Sequence, residues 1–245
     1  MTIRFASIIA ASILIVSASL TAHSYRLPPY SISDSDRAAA AEDVLSGCRS
    51  RIEELGLSVD LIRLEEHSKN SRVRLAGKER SAAKPYNNLK KEISFWEQVV
   101  ALKKDIIGLP GSEPSLENAA EADAIAKTVI ETLYTLSQKW KIGNSALFNN
   151  FLINIGAKQK GFCWHYVDEL RKALSSREWQ RFDIRRGVAW DKDFRENNAL
   201  VITAKDRPFK EGLAIDPWRT AGRPFWTPVK GDRFPWKEAF GVEVE

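Results

Sequence analysis

The stretch KGFCWHYVDEL, residues 160–170, places a cysteine between a glycine turn and the opening of a helix. Val167, Leu170 and Leu174 follow on one side, so Cys163 falls in the first helical turn. Unpaired backbone N–H groups and the positive end of the helix dipole gather there, and both favour the thiolate. Gly161 permits a sharp turn and leaves room for a substrate carbonyl, which the helix-start amides would polarise. Cys163 is therefore a candidate nucleophile; half of a disulfide and an ordinary core residue are the competing readings.

A thiol nucleophile needs a base and a group that orients the base. The chain has three histidines, and His165 projects about 200° around the helix from Cys163, so it is read as structural. His23 lies in or beside the N-terminal apolar run, and His67 in the polar stretch before the second long helix. None lies in the strand-like region downstream.

The 245 residues, 44% of them hydrophobic, suffice for one good core or a core with a helical appendage. Net charge is +5 with no segment densely basic on one helical face, which argues against a nucleic-acid partner. Arg4 precedes FASIIAASILIVSASLTA, an uncharged run that reads as a signal peptide cleaved after Ser24 or as a retained membrane anchor. Export to the periplasm, on the inner membrane or beyond the cell, is expected. Residues 25–35 read as a linker.

From about Asp36 to Leu64, apolar residues Val44, Leu45, Cys48, Ile52 and Leu55 keep helical spacing; Leu89, Ile93, Trp96, Val100 and Ile107 repeat it. With Gly77 and Pro85 as breakers between them, these predict an antiparallel helical hairpin over residues 36–110. Cys48 lies on its apolar stripe, as a buried hydrophobe or as the disulfide partner of Cys163. IGLPGSEPS marks a boundary, and Ser115 caps a third helix running to Trp140. NSALFNNFLINIG predicts a shorter helix from Asn144 or Ser145 to Gly156. GVAW, NALVITA and GLAID then carry strand patterning, with Lys205, Asp206 and Arg207 as a turn.

Taken in order, KGFCWH, RENNALVITA, GLAIDPWRTAGRPFW and DRFPW resemble the bacterial transglutaminase-like cysteine peptidase group of the papain-like superfamily. The resemblance covers about Leu147 to Trp236 and is most specific at Cys163 with Trp164 and at the IDPWR ending in Arg219. It implies an α+β fold: a helical N-terminal half, then a papain-like domain over residues 115–245 with a small antiparallel sheet. It also implies Cys163 as nucleophile and Asp216 as the acid that orients the base. The histidine of the group falls at Asn197, with Asn198 the alternative, and an amide cannot accept and return a proton near neutral pH.

The resemblance thus leads to an exported protein of this fold that is catalytically degenerate. The alternatives are an active cysteine hydrolase or acyl transferase on envelope peptides, and a structural or peptide- or glycan-binding envelope protein. A peptide or protein is the expected partner in each case. No phosphate loop or metal-ligand spacing is present, so neither cofactor nor metal is expected. Gln159 and Asn154 are further amides near the cysteine. The aromatics Trp218, Phe225, Trp226, Phe234 and Trp236, interleaved with Arg219, Arg223, Lys230 and Arg233, read as packing before they read as a stacking surface.

Overall fold

The computed structural model describes residues 30–143 and 145–239, so the N-terminal apolar run and its cleavage or anchoring lie outside the described residues. Among the described residues there are seven α-helices and one five-stranded antiparallel sheet. No described helix is long and apolar enough to cross a membrane.

The stretch expected as one long first helix divides into three. α1 (Asp34–Ala38) is capped by Ser33, α2 spans Ala41–Gly56, and α3 (Leu61–Lys69) is started anew by Asp60, whose carboxylate accepts from Ile62 and Arg63 N–H. A side chain that satisfies the free N–H groups of a new helix competes with continuation of the old one, and this local chemistry outweighs the apolar spacing. α4 (Gly77–Ile107) differs in the opposite sense: Gly77 and Pro85 lie inside it. Pro85 and Ser81 are both exposed, so the Ser81 carbonyl deprived of its helical partner remains open to water.

α5 (Leu116–Lys139) follows, with the Ser115 hydroxyl accepting from Asn118 N–H as its cap. α4 turns Phe95, Trp96, Val99, Leu102 and Ile106 toward Ile125, Val129, Ile130 and Leu133 of α5. The same buried cluster takes in Leu45 and Cys48 of α2 and reaches Leu170, Leu200, Ile202 and Ile215. One core therefore runs from the helical half into the sheet, across the proline- and glycine-rich connection at 107–115.

α2 lacks a side-chain cap of its own, and Asp123 on α5 supplies one by accepting from Ala41 N–H at 3.2 Å. Asp123 also holds Lys127 at 2.7 Å and Lys103 at 3.3 Å, while Lys127 donates to the carbonyls of Asp36 and Ala39. Buried ions with every neighbour hydrogen-bonded fix α1 and α2 against α4 and α5 more by geometry than by net energy.

α6 (Ala146–Asn154) begins at Ser145, which accepts from Phe148 N–H, and is followed by Gly156 at φ 78°. α7 (Cys163–Leu174) leads into the sheet, whose strands are β1 (Phe182–Ala189), β2 (Asn197–Ala204), β3 (Leu213–Ile215), β4 (Trp226–Pro228) and β5 (Lys237–Glu238). Their order is β4-β3-β2-β1-β5. β2 is central and buried along its whole length. Because side chains alternate between faces, Leu200 and Ile202 pack into the helical core, while Ala199 and Val201 face a second cluster with Val229 and Trp236. That alternation decides the site, because Asn198 shares the face of Leu200, and Asn197 the face of Ala199.

Candidate functional site

Cys163 is the first residue of α7, preceded by Gly161 at φ 125° and Phe162 in extended conformation. A side chain at Gly161 would start 2.0 Å from the amide nitrogen of buried Asn149, so only glycine fits. The turn is also held from the other side. His165 Nδ1 accepts from both Gly161 N–H and Phe162 N–H at 3.1 Å, which puts its proton on Nε2. Burial, with Lys160 nearby, pushes His165 down to about 4, and it stays neutral at pH 7. The N–H groups of Gly161 and Phe162, which precede the helix, are thereby taken by His165, while Cys163 and Trp164 open its first turn.

The Cys163 sulfur faces a side-chain amide and a backbone carbonyl. Asn198 Nδ2 lies 3.8 Å from Sγ, and the Glu196 carbonyl oxygen, able to accept from the thiol, lies at 4.0 Å. Arg186 settles which end of the amide faces the sulfur: its Nε and Nη2 donate to Asn198 Oδ1 at 3.1 and 2.9 Å. The Nδ2 end is left to donate to Glu196 Oε1 at 3.1 Å and toward Cys163. Burial pushes the Cys163 thiol up, against the lowering influence of Asn198 and of Trp164 N–H. The result is a neutral thiol beside a hydrogen-bond donor.

Asp216 and Asn197 form a second, separate pair. Asn197 Nδ2 donates to Asp216 Oδ2 at 2.8 Å, and both residues are buried. Arg219 Nε donates to the same oxygen at 3.1 Å, and its other two nitrogens hold Asp232 at 2.9 and 2.8 Å. Phe225 and Phe234 flank the Arg219 guanidinium, with ring centres at 4.8 and 3.9 Å. Burial pushes Asp216 up in spite of Arg219, and among the described residues the Oδ1 atoms of Asn197 and Asp216 find no hydrogen-bond partner. The three candidate residues thus divide, with Asp216 joined to Asn197 while Cys163 faces Asn198.

The remaining candidates are placed as follows. His67 sits in the last turn of α3, where Nδ1 bonds to the carbonyl of Val73 in the connection to α4 at 2.7 Å. Gln159 and Asn154 are exposed. Cys48 and Cys163 both carry free thiols, and Cys48 is buried, with Arg51 reaching its sulfur at 3.0 Å. The indole N–H groups of Trp218, Trp226 and Trp236 are bound to Asn150, Asp105 and Asp232, as packing residues should be. Among the described residues no three metal-ligating side chains converge. Two clefts of about 540 and 590 Å³ lie beside Trp179 and at the turn between α2 and α3, and Cys163 lines neither.

Arg186, Glu196 and Asp232 do not stand out in the sequence, though they hold the site. Arg186 is two residues from Val188, the register partner of Asn198, a diagonal relation that becomes readable only once register is known. No family model, curated protein or solved structure matches the chain.

Proposed function

We propose that the chain is an exported, catalytically degenerate protein of the transglutaminase-like cysteine peptidase group, with a papain-like C-terminal part that binds a peptide or protein ligand without cleaving it. The observation that carries this reading is the Asn198 amide, turned by Arg186 so that a donor and not a proton acceptor faces Cys163. Acyl transfer through a thiol requires the proton to leave and return, and an amide does neither. The burial that raises the Cys163 thiol works in the same direction. Support for the group itself is the cysteine opening α7 and the acid after β3, with the expected base position on β2 between them. Support for export is the uncharged run at residues 5–22.

Alkylation of Cys163 by iodoacetamide at pH 7, followed by intact-protein mass, tests the reading. Cys163 is expected to react no faster than a free thiol. Reaction tenfold faster than glutathione, or a mass increment left by an activated peptide ester, would overturn it in favour of an active enzyme.

A further inference from the structure

α6 has its polarity reversed relative to an ordinary surface helix. Asn149 and Asn150 face the protein, while Asn154 at its end is exposed: Asn149 is buried and accepts from Lys158 at 2.9 Å, and Asn150 accepts from Trp218 Nε1 at 3.1 Å. Its large apolar side chains face outward, with Leu147 72% exposed, Phe151 53%, and Ile155, just past the helix, 59%. Phe148 joins them, stacked on Phe151 at 6.2 Å. Spacings of four from 147 to 151 to 155 put these on one face. Gly161 packs against Asn149, bringing the first turn of α7 alongside, where Trp164 adds an exposed indole. An exposed apolar helix face of this kind marks an interaction site.

The surrounding charge says what would cover it. Between Glu131 and Asp168 the chain carries Lys139, Lys141, Lys158 and Lys160 and no acidic residue. Lys158 is turned inward, onto the Lys141 carbonyl and Asn149 at 2.8 and 2.9 Å, whereas Lys139, Lys141 and Lys160 are exposed and Lys160 lies 6.0 Å from the centre of the Trp164 ring. Apolar side chains flanked by lysines and a tryptophan match acyl chains beneath anionic headgroups. A second copy would bring the same lysines face to face. The run at residues 5–22 offers them no acid. We propose that the outward face of α6, with Trp164, docks on an anionic lipid bilayer surface. This is independent of how Cys163 is read.

The full chain, which includes the N-terminal run, is spin-labelled at Leu147→Cys or, as a control, at Leu57→Cys, each in a Cys163→Ser background. Oxygen and nickel collision rates are then measured on vesicles of phosphatidylcholine with 30% phosphatidylglycerol and on phosphatidylcholine alone. The label at 147 should gain oxygen and lose nickel accessibility severalfold on the anionic vesicles only, while the label at 57 stays in water. Lys141→Glu with Lys160→Glu should return the 147 label to water. A 147 label that stays water-accessible on vesicles, or a chain that binds none, overturns the proposal. So does immobilisation of that label with rising protein concentration before lipid is added, which would assign the face to a second copy.

Discussion

Asn198 turns the nitrogen of its side-chain amide toward the Cys163 sulfur at 3.8 Å, and Arg186 holds it in that orientation through two hydrogen bonds to Oδ1. An amide free to rotate would offer the thiol its oxygen as readily as its nitrogen. Arg186 removes that freedom, and Asp168 on α7 anchors Arg186 in turn at 3.5 Å. The thiol is therefore presented with a donor, and its proton has the Glu196 carbonyl as acceptor. Burial outweighs the donors Asn198 and Trp164 N–H and raises the thiol, which stays neutral near pH 7.

Asn198→His should introduce a base on the correct face. With Arg186 alongside, the imidazole would have its pKa lowered, which leaves it neutral and able to accept at pH 7. Cys163 alkylation at pH 7.5 is expected to accelerate at least about tenfold, toward the lower range of general-base effects. Asn197→His, directed at Asp216 from the other face of β2, should leave the rate unchanged. Equal acceleration in the two variants, read by iodoacetamide kinetics, would show that the two faces are wrongly assigned.

Arg219→Ala should be among the most damaging substitutions outside the hydrophobic core. It leaves the fully buried Asp216 with Asn197 and the backbone N–H of residue 219, and takes from Asp232 its bidentate partner. Removing one member of a buried ion pair costs about 3 to 5 kcal/mol. Burial already raises Asp216, and loss of the guanidinium raises it further. Stability from a raised carboxyl is fully present below its unfolded pKa and is lost as pH rises through the folded value. The variant should thus be more damaged at pH 7.5 than at pH 5 in urea denaturation, and Asp216→Asn added to it should recover part of the loss. A deficit independent of pH would mean that Asp216 is not the group left exposed to the change.

The sequence made the later helices and the strands readable because caps and turns act locally. Ser115, Ser145 and Gly156 sit where the structure uses them, and Asp206 takes the positive φ of the turn after β2. The first helical segment failed for the complementary reason: apolar spacing continues across Asp60, while the cap of α3 and the capping of α2 by Asp123 interrupt it. The candidate residues could be named from the sequence by type, but their pairing could not. Asn197 and Asn198 are adjacent in sequence, and only the alternation of β2 against α7 sends one to Asp216 and the other to Cys163. The role of Arg186 depends on β1 register and on Asp168 of α7, neither of which is a local property.

Gly161→Ala should destabilise the fold by more than about 2 kcal/mol, from a strained backbone and from the amide that a new Cβ would strike. Gly231→Ala separates the two causes. It has φ 89° with nothing near a built Cβ, so it carries strain alone and should cost about 1 kcal/mol. Adding Asn149→Ala to Gly161→Ala should recover part of the loss. Equal destabilisation of the two glycine variants in denaturant titration would show that Asn149 does not crowd the turn.

His165 makes the turn before Cys163 sensitive to acid. Its Nδ1 accepts two backbone N–H bonds, so protonation must break them, and burial with Lys160 holds the folded value at about 4. An imidazole lowered in the fold contributes stability that is complete above its unfolded pKa and is lost as pH falls from about 6.5 toward the folded value. At 1.36 kcal/mol per pKa unit this amounts to about 2 to 3 kcal/mol across that window. His165→Gln keeps an acceptor for the Gly161 and Phe162 N–H groups but does not titrate. Urea titrations between pH 7.5 and 4.5 should therefore show the native protein losing about that much more stability than the variant, with the two curves running parallel above pH 7. Curves parallel over the whole range would mean that the imidazole binds its proton without giving up the turn, and that Nδ1 is not the atom holding it.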